Sequence, residues 1–231
     1  MHEWVVTAPS GMPVRRLGDA ATRGAVVLIG EVQGVDDALL EWGRRLVDDE
    51  FTVAVPDLWW RHGGVPVLGS ADAIAAAVGR LDDGNALRDV AAALSVLPPG
   101  LPRVAMGFCV GGLLARLATA ALPGLAAGVE FYGRIVYPTL SPEKPAQPLD
   151  LLPGRACPLL CHFGELDTVA PPHHVDELER RLASQAVPGR VYRYPGVGHG
   201  FMNRARPSWN AAAAELAWQR TGRFLDEALP A

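Results

Sequence analysis

The chain has 231 residues, of which 49% are hydrophobic and 20% are charged, and its formal net charge is −4. This length suits a single large core, so we expect one domain over 1–231. The small charge excludes the strongly basic proteins that bind nucleic acid or anionic membranes. No apolar run approaches the roughly 20 residues that span a bilayer, and no signal peptide is visible. Three cysteines, an odd number, favour reduced thiols and a cytoplasmic location.

Short β-branched runs alternate with Ala- and Leu-rich segments, the pattern of a mostly parallel sheet with helices on both faces. The run at 25–29 (AVVLI) is apolar throughout, as in a central strand that is buried on both sides. The predicted strands lie at 4–8, 25–29, 51–55, 103–108, 129–132, 158–163 and 190–194. The predicted helices lie at 36–48, 72–97 with a break near 83–84, 110–122, 174–185 and after 208, where Ser208 is a candidate N-cap.

A cysteine stands in a Gly-rich turn directly after the strand predicted at 103–108. The sequence GFCVGG at 107–112 matches the nucleophile elbow G-x-S-x-G, with Cys109 in place of serine. Such a turn holds its nucleophile in a strained conformation, and the flanking glycines avoid Cβ clashes. The N-terminus of the next helix offers free N–H groups to a thiolate and a developing oxyanion. The alternative is that Cys109 is only a small buried residue.

An acid and a histidine should follow the nucleophile along the chain, each beyond a strand end. The loop after the strand at 158–163 contains Glu165 and Asp167, and Asp167 is favoured because it lies deeper in the loop. The loop after the last predicted strand contains His199 between glycines. Asp167 would accept the Nδ1 proton of His199, which would activate the Cys109 thiol. The alternatives are that Asp167 caps the next helix and that His199 is a turn residue.

The remaining histidines and cysteines carry weaker functional signals. His162 lies inside an apolar strand, where we expect a hydrogen-bonded core residue. His173 and His174 are expected at the solvated start of a helix. Cys157 and Cys161 are predicted to pack in the core, and their spacing does not resemble a metal site. No metal and no other cofactor is predicted.

With these residues assembled, the chain resembles the dienelactone hydrolase family of the α/β-hydrolase superfamily, from residue 25 to about 201. Four segments carry the resemblance, namely 29–34 (IGEVQG), 55–61 (VPDLWWR), 107–112 (GFCVGG) and the two loops with Asp167 and His199. The resemblance implies an α/β-hydrolase fold without a large lid domain. It also implies hydrolysis of a small lactone or carboxylic ester through a thioester acyl-enzyme.

The resemblance assigns further roles that spacing alone does not. It implies that Glu31 lies close to the resting Cys109, whose thiol stays protonated until substrate binds. Substrate then displaces Glu31, which takes the thiol proton, and the thiolate swings toward His199. The backbone N–H groups of Val32 and Val110 are the matching candidates for the oxyanion hole. From the residues alone, Glu31 is an ordinary loop carboxylate at a strand end.

The substrate pocket is expected at the carboxyl ends of the parallel strands, where open α/β sheets bind ligands. Aromatic residues near these ends predict an aromatic-lined pocket for a compact, flat substrate, and the proline-rich segment at 137–155 is expected at its rim. The alternative is that some of these aromatic side chains fill the core beneath the loops. The candidates are Trp59, Trp60, Phe108, Tyr132 and Phe201.

The arginines that hold a substrate carboxylate in members of the family have no secure match in this sequence. One matching position, four residues beyond the catalytic histidine, holds Asn203. Arg204 and Arg206 lie near it but at other positions. The second arginine would be Arg61 or Arg80. Because bidentate Arg–carboxylate pairing depends on geometry, an offset of one residue can abolish it.

Two other functions remain open at this point. The same triad could act on another ester, a thioester or a halogenated acid. The chain could instead be a ligand-binding or thiol-redox protein that retains the pocket, although a binding module has no need of all three triad residues. The expected partner is a small-molecule ester or lactone, with no nucleic acid and no membrane, and we expect a monomer or a homodimer.

Overall fold

The computed structural model describes residues 2–19 and 22–230, and an eight-stranded sheet runs through them. The strands are β1 (Glu3–Thr7), β2 (Pro13–Leu17), β3 (Gly24–Ile29), β4 (Phe51–Pro56), β5 (Arg103–Phe108), β6 (Leu125–Phe131), β7 (Leu159–Gly164) and β8 (Gly189–Tyr194). The helices are α1 (Asp37–Asp48), α2 (Ala71–Arg80), α3 (Asp83–Ser95), α4 (Val110–Ala121), α5 (Pro172–Ala183) and α6 (Ala211–Ala228). Short 3₁₀ turns lie at Trp60–His62 and Pro148–Gly154.

The strands are ordered β1-β2-β4-β3-β5-β6-β7-β8 across the sheet. The strands from β3 to β8 pair in parallel, and β1 and β2 extend one edge in antiparallel pairing. Successive side chains of β3 point to opposite faces, so Val26 and Leu28 join one core cluster while Val27 and Ile29 join another. Helices α1 and α6 cover the first face, and α3 and α4 cover the second. The predicted α/β-hydrolase fold is confirmed.

The N-terminal edge of the sheet differs from the prediction. Strand β2 is missing from the predicted strands, because the paired arginines Arg15 and Arg16 interrupt the apolar alternation that marks a strand. Its place is set by its two neighbours instead, since Val5 of β1 and Val55 of β4 both stand opposite Arg15. Such long-range pairing leaves little signal in a short local pattern.

Two helix boundaries differ in detail from the prediction. The break expected near 83–84 is present just before that point, because Asp82 is extended and accepts the Asn85 amide at 2.6 Å as the N-cap of α3. The last helix begins after Asn210, whose side chain accepts the Ala213 amide at 2.9 Å, so the N-cap is Asn210 and not Ser208.

The carboxyl ends of the parallel strands meet at one edge of the sheet, and the loops there carry the candidate site residues. Glu31 follows β3, Cys109 follows β5, Asp167 follows β7 and His199 follows β8. These strands are held in register by their ladders, so the four loops are fixed relative to one another. Across residues 2–19 and 22–230, no helix has the length and apolarity needed to cross a membrane.

Candidate active site

Cys109 stands at a sharp turn between β5 and α4. Its backbone has φ 53° and ψ −115°, a conformation that residues with a side chain rarely adopt. The turn depends on two neighbouring glycines. A Cβ atom at Gly107 would overlap the Gly111 carbonyl group, and one at Gly111 would overlap the carbonyl oxygen of Ile29. The sequence GFCVGG therefore builds a strained, close-packed turn that exposes part of the Cys109 side chain.

The structure brings Cys109, His199 and Asp167 into one hydrogen-bonded row. The Nε2 atom of His199 lies 3.2 Å from Cys109 Sγ, and its Nδ1 atom lies 2.8 Å from Asp167 Oδ2. Because an ionised carboxylate only accepts, Nδ1 must carry the proton toward Asp167. Nε2 then faces the sulfur, as a base toward a thiol or as a donor toward a thiolate. This is the arrangement that activates a nucleophile.

Asp167 is fixed by its own loop as well as by the histidine. Its side chain is almost fully buried, and Oδ1 accepts the amides of Val169 at 2.7 Å and Ala170 at 2.9 Å. The capping alternative and the triad role are therefore compatible, since each uses a different carboxylate oxygen. The two amide bonds hold Oδ2 in place for His199.

The electrostatics of the row favour a charged histidine. Burial alone would lower the pKa of His199, but the Cys109 sulfur and the Asp167 carboxylate outweigh burial and raise this pKa to about 10. The raised pKa favours the imidazolium form of His199, which can donate from Nε2 toward the sulfur.

The two candidate oxyanion donors are the backbone amides of Val32 and Val110. Val110 is the first residue of α4, where the helix leaves its first amides without an intrahelical partner. Val32 and Val110 line the same cavity as Cys109. The Val32 peptide is held by Trp59, whose indole Nε1 donates to the Val32 carbonyl oxygen at 2.9 Å. In the part of the chain that the structure describes, neither valine amide donates to a protein acceptor.

Glu31 is buried and surrounded by three donors. The Tyr132 hydroxyl donates to Oε1 at 2.9 Å, and Asn203 Nδ2 donates to Oε2 at 3.2 Å. Arg206 Nε lies 2.8 Å from Oε2, although its N–H is not aimed along this line, so the contact is an ion pair rather than a directed hydrogen bond. Burial, assisted by the Glu31 charge, raises the pKa of Tyr132 well above its usual value and keeps the hydroxyl protonated.

The sulfur does not rest on Glu31 in this structure. Cys109 Sγ lies within hydrogen-bond distance of His199, and the Glu31 oxygens are occupied by their three donors. The resemblance implied the opposite resting contact, with the thiol beside the glutamate.

A cavity of about 610 Å³ opens above Cys109 and His199. Its walls come from α2, from the start of α4 and from the segment between β6 and the 3₁₀ turn at Pro148–Gly154. Arg134 and Arg206 also reach its surface. The volume lies within the range of about 300–1,000 Å³ that is typical of small-molecule sites.

Comparisons with known proteins identify the family of this chain. Residues 16–229 match the model of the dienelactone hydrolase family. The chain belongs to this family. It is 30% identical over 205 residues to an Escherichia coli O157:H7 protein named "Putative carboxymethylenebutenolidase", covering 84% of this chain and 73% of that protein. It is 30% identical over 206 residues to a Bradyrhizobium protein named "Probable 2-oxo-3-(5-oxofuran-2-ylidene)propanoate lactonase", covering 87% and 82%.

A solved structure shows the same fold. The crystal structure titled "Putative Dienelactone Hydrolase" from Klebsiella pneumoniae subsp. pneumoniae superposes with a TM-score of 0.88 over 98% of each chain, at 22% identity. The protein is therefore a hydrolase of the dienelactone hydrolase family with an α/β-hydrolase fold.

The aromatic residues expected to line the pocket of this dienelactone hydrolase homologue lie mostly beneath it. Trp59, Tyr132 and Phe201 are fully buried, and Phe108 is nearly so. Tyr132 packs edge-on against both His199 and Phe201, with ring centroids 5.0 and 5.4 Å away. These side chains support the row of Cys109, His199 and Asp167 from the core side. The prediction of an aromatic-lined pocket is corrected, because the cavity walls are mainly aliphatic.

Three arginines of this chain that the sequence offered as candidates for substrate binding lie away from the cavity. Arg61 pairs with the buried Asp89 at 2.8 Å and stacks on Trp60, whose indole also donates to Asp89. Arg80 borders a separate, smaller cavity of about 110 Å³ that Arg61 shares. Arg204 is exposed and pairs with a surface glutamate of α1. Asn203, at the family's arginine position, binds Glu31 instead.

Two other arginines reach the cavity in their place. Arg206 contacts both Glu31 and Gln33, with Nη2 donating to the Gln33 amide oxygen at 3.1 Å. Arg134 follows β6 by three residues, and in the described ranges no carboxylate oxygen lies within 4 Å of its guanidinium. The sequence signal that could have found Arg134 is its place just beyond the carboxyl end of a parallel strand.

The other singled-out residues have structural surroundings. His162 is fully buried, with Nδ1 2.8 Å from the Tyr194 hydroxyl and Nε2 3.1 Å from Thr221 Oγ1. Cys157 and Cys161 are buried, as predicted. Over residues 2–19 and 22–230, no group of three or more His, Cys, Asp or Glu side chains is arranged to hold a metal ion.

Proposed function

We propose that this family member hydrolyses a small lactone or carboxylic ester through a covalent thioester on Cys109. The observation that carries the proposal is the hydrogen-bonded row from Cys109 through His199 to Asp167, at the mouth of a cavity. Two relatives whose names refer to a butenolide or a furanone lactone favour a lactone substrate. No cofactor is needed for this chemistry.

In the first half-reaction, the Cys109 thiolate attacks the carbonyl carbon of the substrate. A C–S bond forms, and the carbonyl electron pair moves onto oxygen, where the Val32 and Val110 amides stabilise it. The tetrahedral intermediate collapses, the C–O bond breaks and the alkoxide leaves with the proton of the His199 imidazolium. The product of this step is a thioester and a neutral His199. Asp167 keeps the imidazole oriented throughout.

In the second half-reaction, His199 takes a proton from water as the water oxygen attacks the thioester carbonyl carbon. The second tetrahedral intermediate expels the thiolate, and the product carboxylic acid leaves the site. A lactone yields a single hydroxy acid or its tautomer, because both product groups belong to the same molecule. The thiolate–imidazolium pair is then restored.

Glu31 acts in this scheme as an anchor for the positive side of the site. It holds Arg206, Tyr132 and Asn203 in fixed positions under the cavity. Arg134, which faces the same cavity and has no protein carboxylate within 4 Å among the described residues, is the candidate group for a substrate carboxylate. Arg134 does not occupy the position of the family's arginine, which holds Asn203 in this chain.

The test is steady-state hydrolysis of a dienelactone and of 4-nitrophenyl acetate by the wild type and by Cys109→Ala. Cys157→Ala, which removes a buried cysteine before the start of β7, at the other end of that strand from Asp167, is the matched control. We expect activity to vanish only in Cys109→Ala, and an acid-quenched wild-type sample to show the acyl mass on the protein. Hydrolysis that survives in Cys109→Ala would refute the cysteine mechanism. A folded wild type that hydrolyses neither substrate would favour a binding or redox role.

A further inference from the structure

The apolar face of α2 is turned toward the catalytic cavity. Its cavity-lining residues fall at 71, 74, 75, 78 and 79, the spacing of one continuous stripe along a helix. They are Ala71, Ile74, Ala75, Val78 and Gly79. In an ordinary surface helix such a stripe is buried against the core. Here Ile74 and Val78 are only half-buried, because the space in front of them is the cavity.

The facing wall continues this apolar surface up to the nucleophile. Val110 and Leu113 follow Cys109 directly on α4, and both line the cavity. An acyl group bonded to Cys109 Sγ therefore lies next to side chains that cannot form hydrogen bonds. Val32, beside the oxyanion position, is apolar as well.

One charged group of the third wall, Lys144, is already paired within the protein. Lys144 lines the cavity, but its Nζ atom pairs with Asp83 at 2.5 Å and is nearly buried. The same carboxylate accepts the Tyr137 hydroxyl at 2.7 Å. This pairing fixes the segment between β6 and the 3₁₀ turn against the start of α3. Lys144 therefore needs no anionic ligand, and an anionic group of the substrate would be met by Arg134 instead.

The size of the cavity exceeds what a compact lactone fills. Its volume of about 610 Å³ is some four times the roughly 150 Å³ that holds one benzene molecule. An exposed apolar side chain also lies on the segment facing α2, since Leu140 stands between the lining residues Thr139 and Ser141. The site and its rim together offer more apolar surface than a five-membered ring can cover.

We infer that the substrate is an ester or lactone whose acyl part carries an extended aliphatic chain, bound between α2 and the start of α4. This inference rests on the proposed function and names its substrate class. Each methylene buried on this surface is expected to increase kcat/KM about fourfold until the cavity is full.

The experiment measures kcat/KM for 4-nitrophenyl acetate, butyrate, hexanoate and octanoate, each below its micelle-forming concentration. We expect a rise of about 100-fold or more from acetate to octanoate with the wild type. Val78→Trp fills the cavity from α2 and should lower the octanoate-to-acetate ratio about tenfold. Ile74→Ser, which adds no bulk, should lower it in the same direction. Ala76→Trp on the exposed side of α2 is the matched control and should leave the ratio unchanged.

The outcomes separate this inference from the proposed function. Cys109-dependent activity that stays flat or falls with chain length would overturn the substrate class and leave the cysteine mechanism intact. A rise with chain length that persists in folded Val78→Trp and Ile74→Ser would overturn the location on α2. Absence of Cys109-dependent hydrolysis with every ester would overturn the proposed function and the inference with it.

Discussion

The buried His162 should make the folded protein sensitive to mild acid. Its hydrogen bonds define the neutral tautomer, because the Thr221 hydroxyl donates to the Ala217 carbonyl at 2.9 Å and so accepts from His162 Nε2–H. Nδ1 then accepts from the Tyr194 hydroxyl. Burial, with a smaller contribution from the nearby Arg220 charge, lowers the pKa of His162 to about 3.

The magnitude follows from the difference between this pKa and that of the unfolded chain. An unfolded histidine titrates near 6.5, so between pH 6.5 and 3 the unfolded state binds a proton that the folded state does not. The stabilising contribution is present above pH 6.5 and is lost as the pH falls. From the two pKa values, the loss in free energy of unfolding reaches about 2 kcal/mol at pH 5 and about 3 kcal/mol at pH 4.

The assay compares urea unfolding of the wild type and His162→Gln at pH 7.5 and pH 5, followed by circular dichroism. The variant should be less stable at pH 7.5, because it loses ring stacking on Phe131 at a centroid distance of 4.7 Å. Its deficit should shrink by about 2 kcal/mol at pH 5, since glutamine does not titrate. His173→Gln, at an exposed position of α5, is the matched control and should follow the wild-type curve. A deficit that is equal at both pH values, or that grows in acid, would refute the reasoning.

Three further substitutions test the site and its support. Asp167→Asn can keep its loop hydrogen bonds through Oδ1, but its amide N–H then faces the N–H of His199 Nδ1. We expect kcat to fall by about 10³–10⁴ while the melting temperature stays unchanged. Wild-type activity in this variant would contradict the triad. Glu31→Gln removes the buried charge that pairs with Arg206. Urea unfolding should show that the free energy of unfolding falls by about 2 kcal/mol. An unchanged urea midpoint would contradict the anchoring role of Glu31. Arg116→Met removes the ion-pair partner of the buried Glu130 and should lower the free energy of unfolding by about 3–5 kcal/mol at pH 8. Adding Glu130→Gln should recover part of this loss. Thermal melting of the single and the double variant measures both effects, and an unchanged melting temperature in Arg116→Met would contradict the pairing.

The sequence by itself determined the features that depend on short stretches of chain. The run AVVLI is apolar because β3 is covered on both faces, and that requirement is visible in five residues. The elbow at 107–112 is also recognisable in six residues, and the close approach of Gly107 to the Gly111 carbonyl is local. The approach of Gly111 to the Ile29 carbonyl oxygen is not, because it joins the elbow to a neighbouring strand. The positions of Asp167 and His199 followed from one rule, that parallel strands present their carboxyl ends at the same edge. For this reason the row of three residues could be predicted before any distance was known.

Only the tertiary structure decided which way the side chains beyond the strand ends point. Tyr132 has φ 43°, a left-handed conformation that no local pattern announced, and its ring is directed into the core rather than the cavity. Glu31 has its partners 101 and 172 positions away, at Tyr132 and Asn203, so its surroundings are absent from any local window. Helix α2 shows the same limit. The helical spacing of its apolar residues can be seen in the sequence. Whether these residues pack against the core or line a cavity depends on how distant segments fold around the helix.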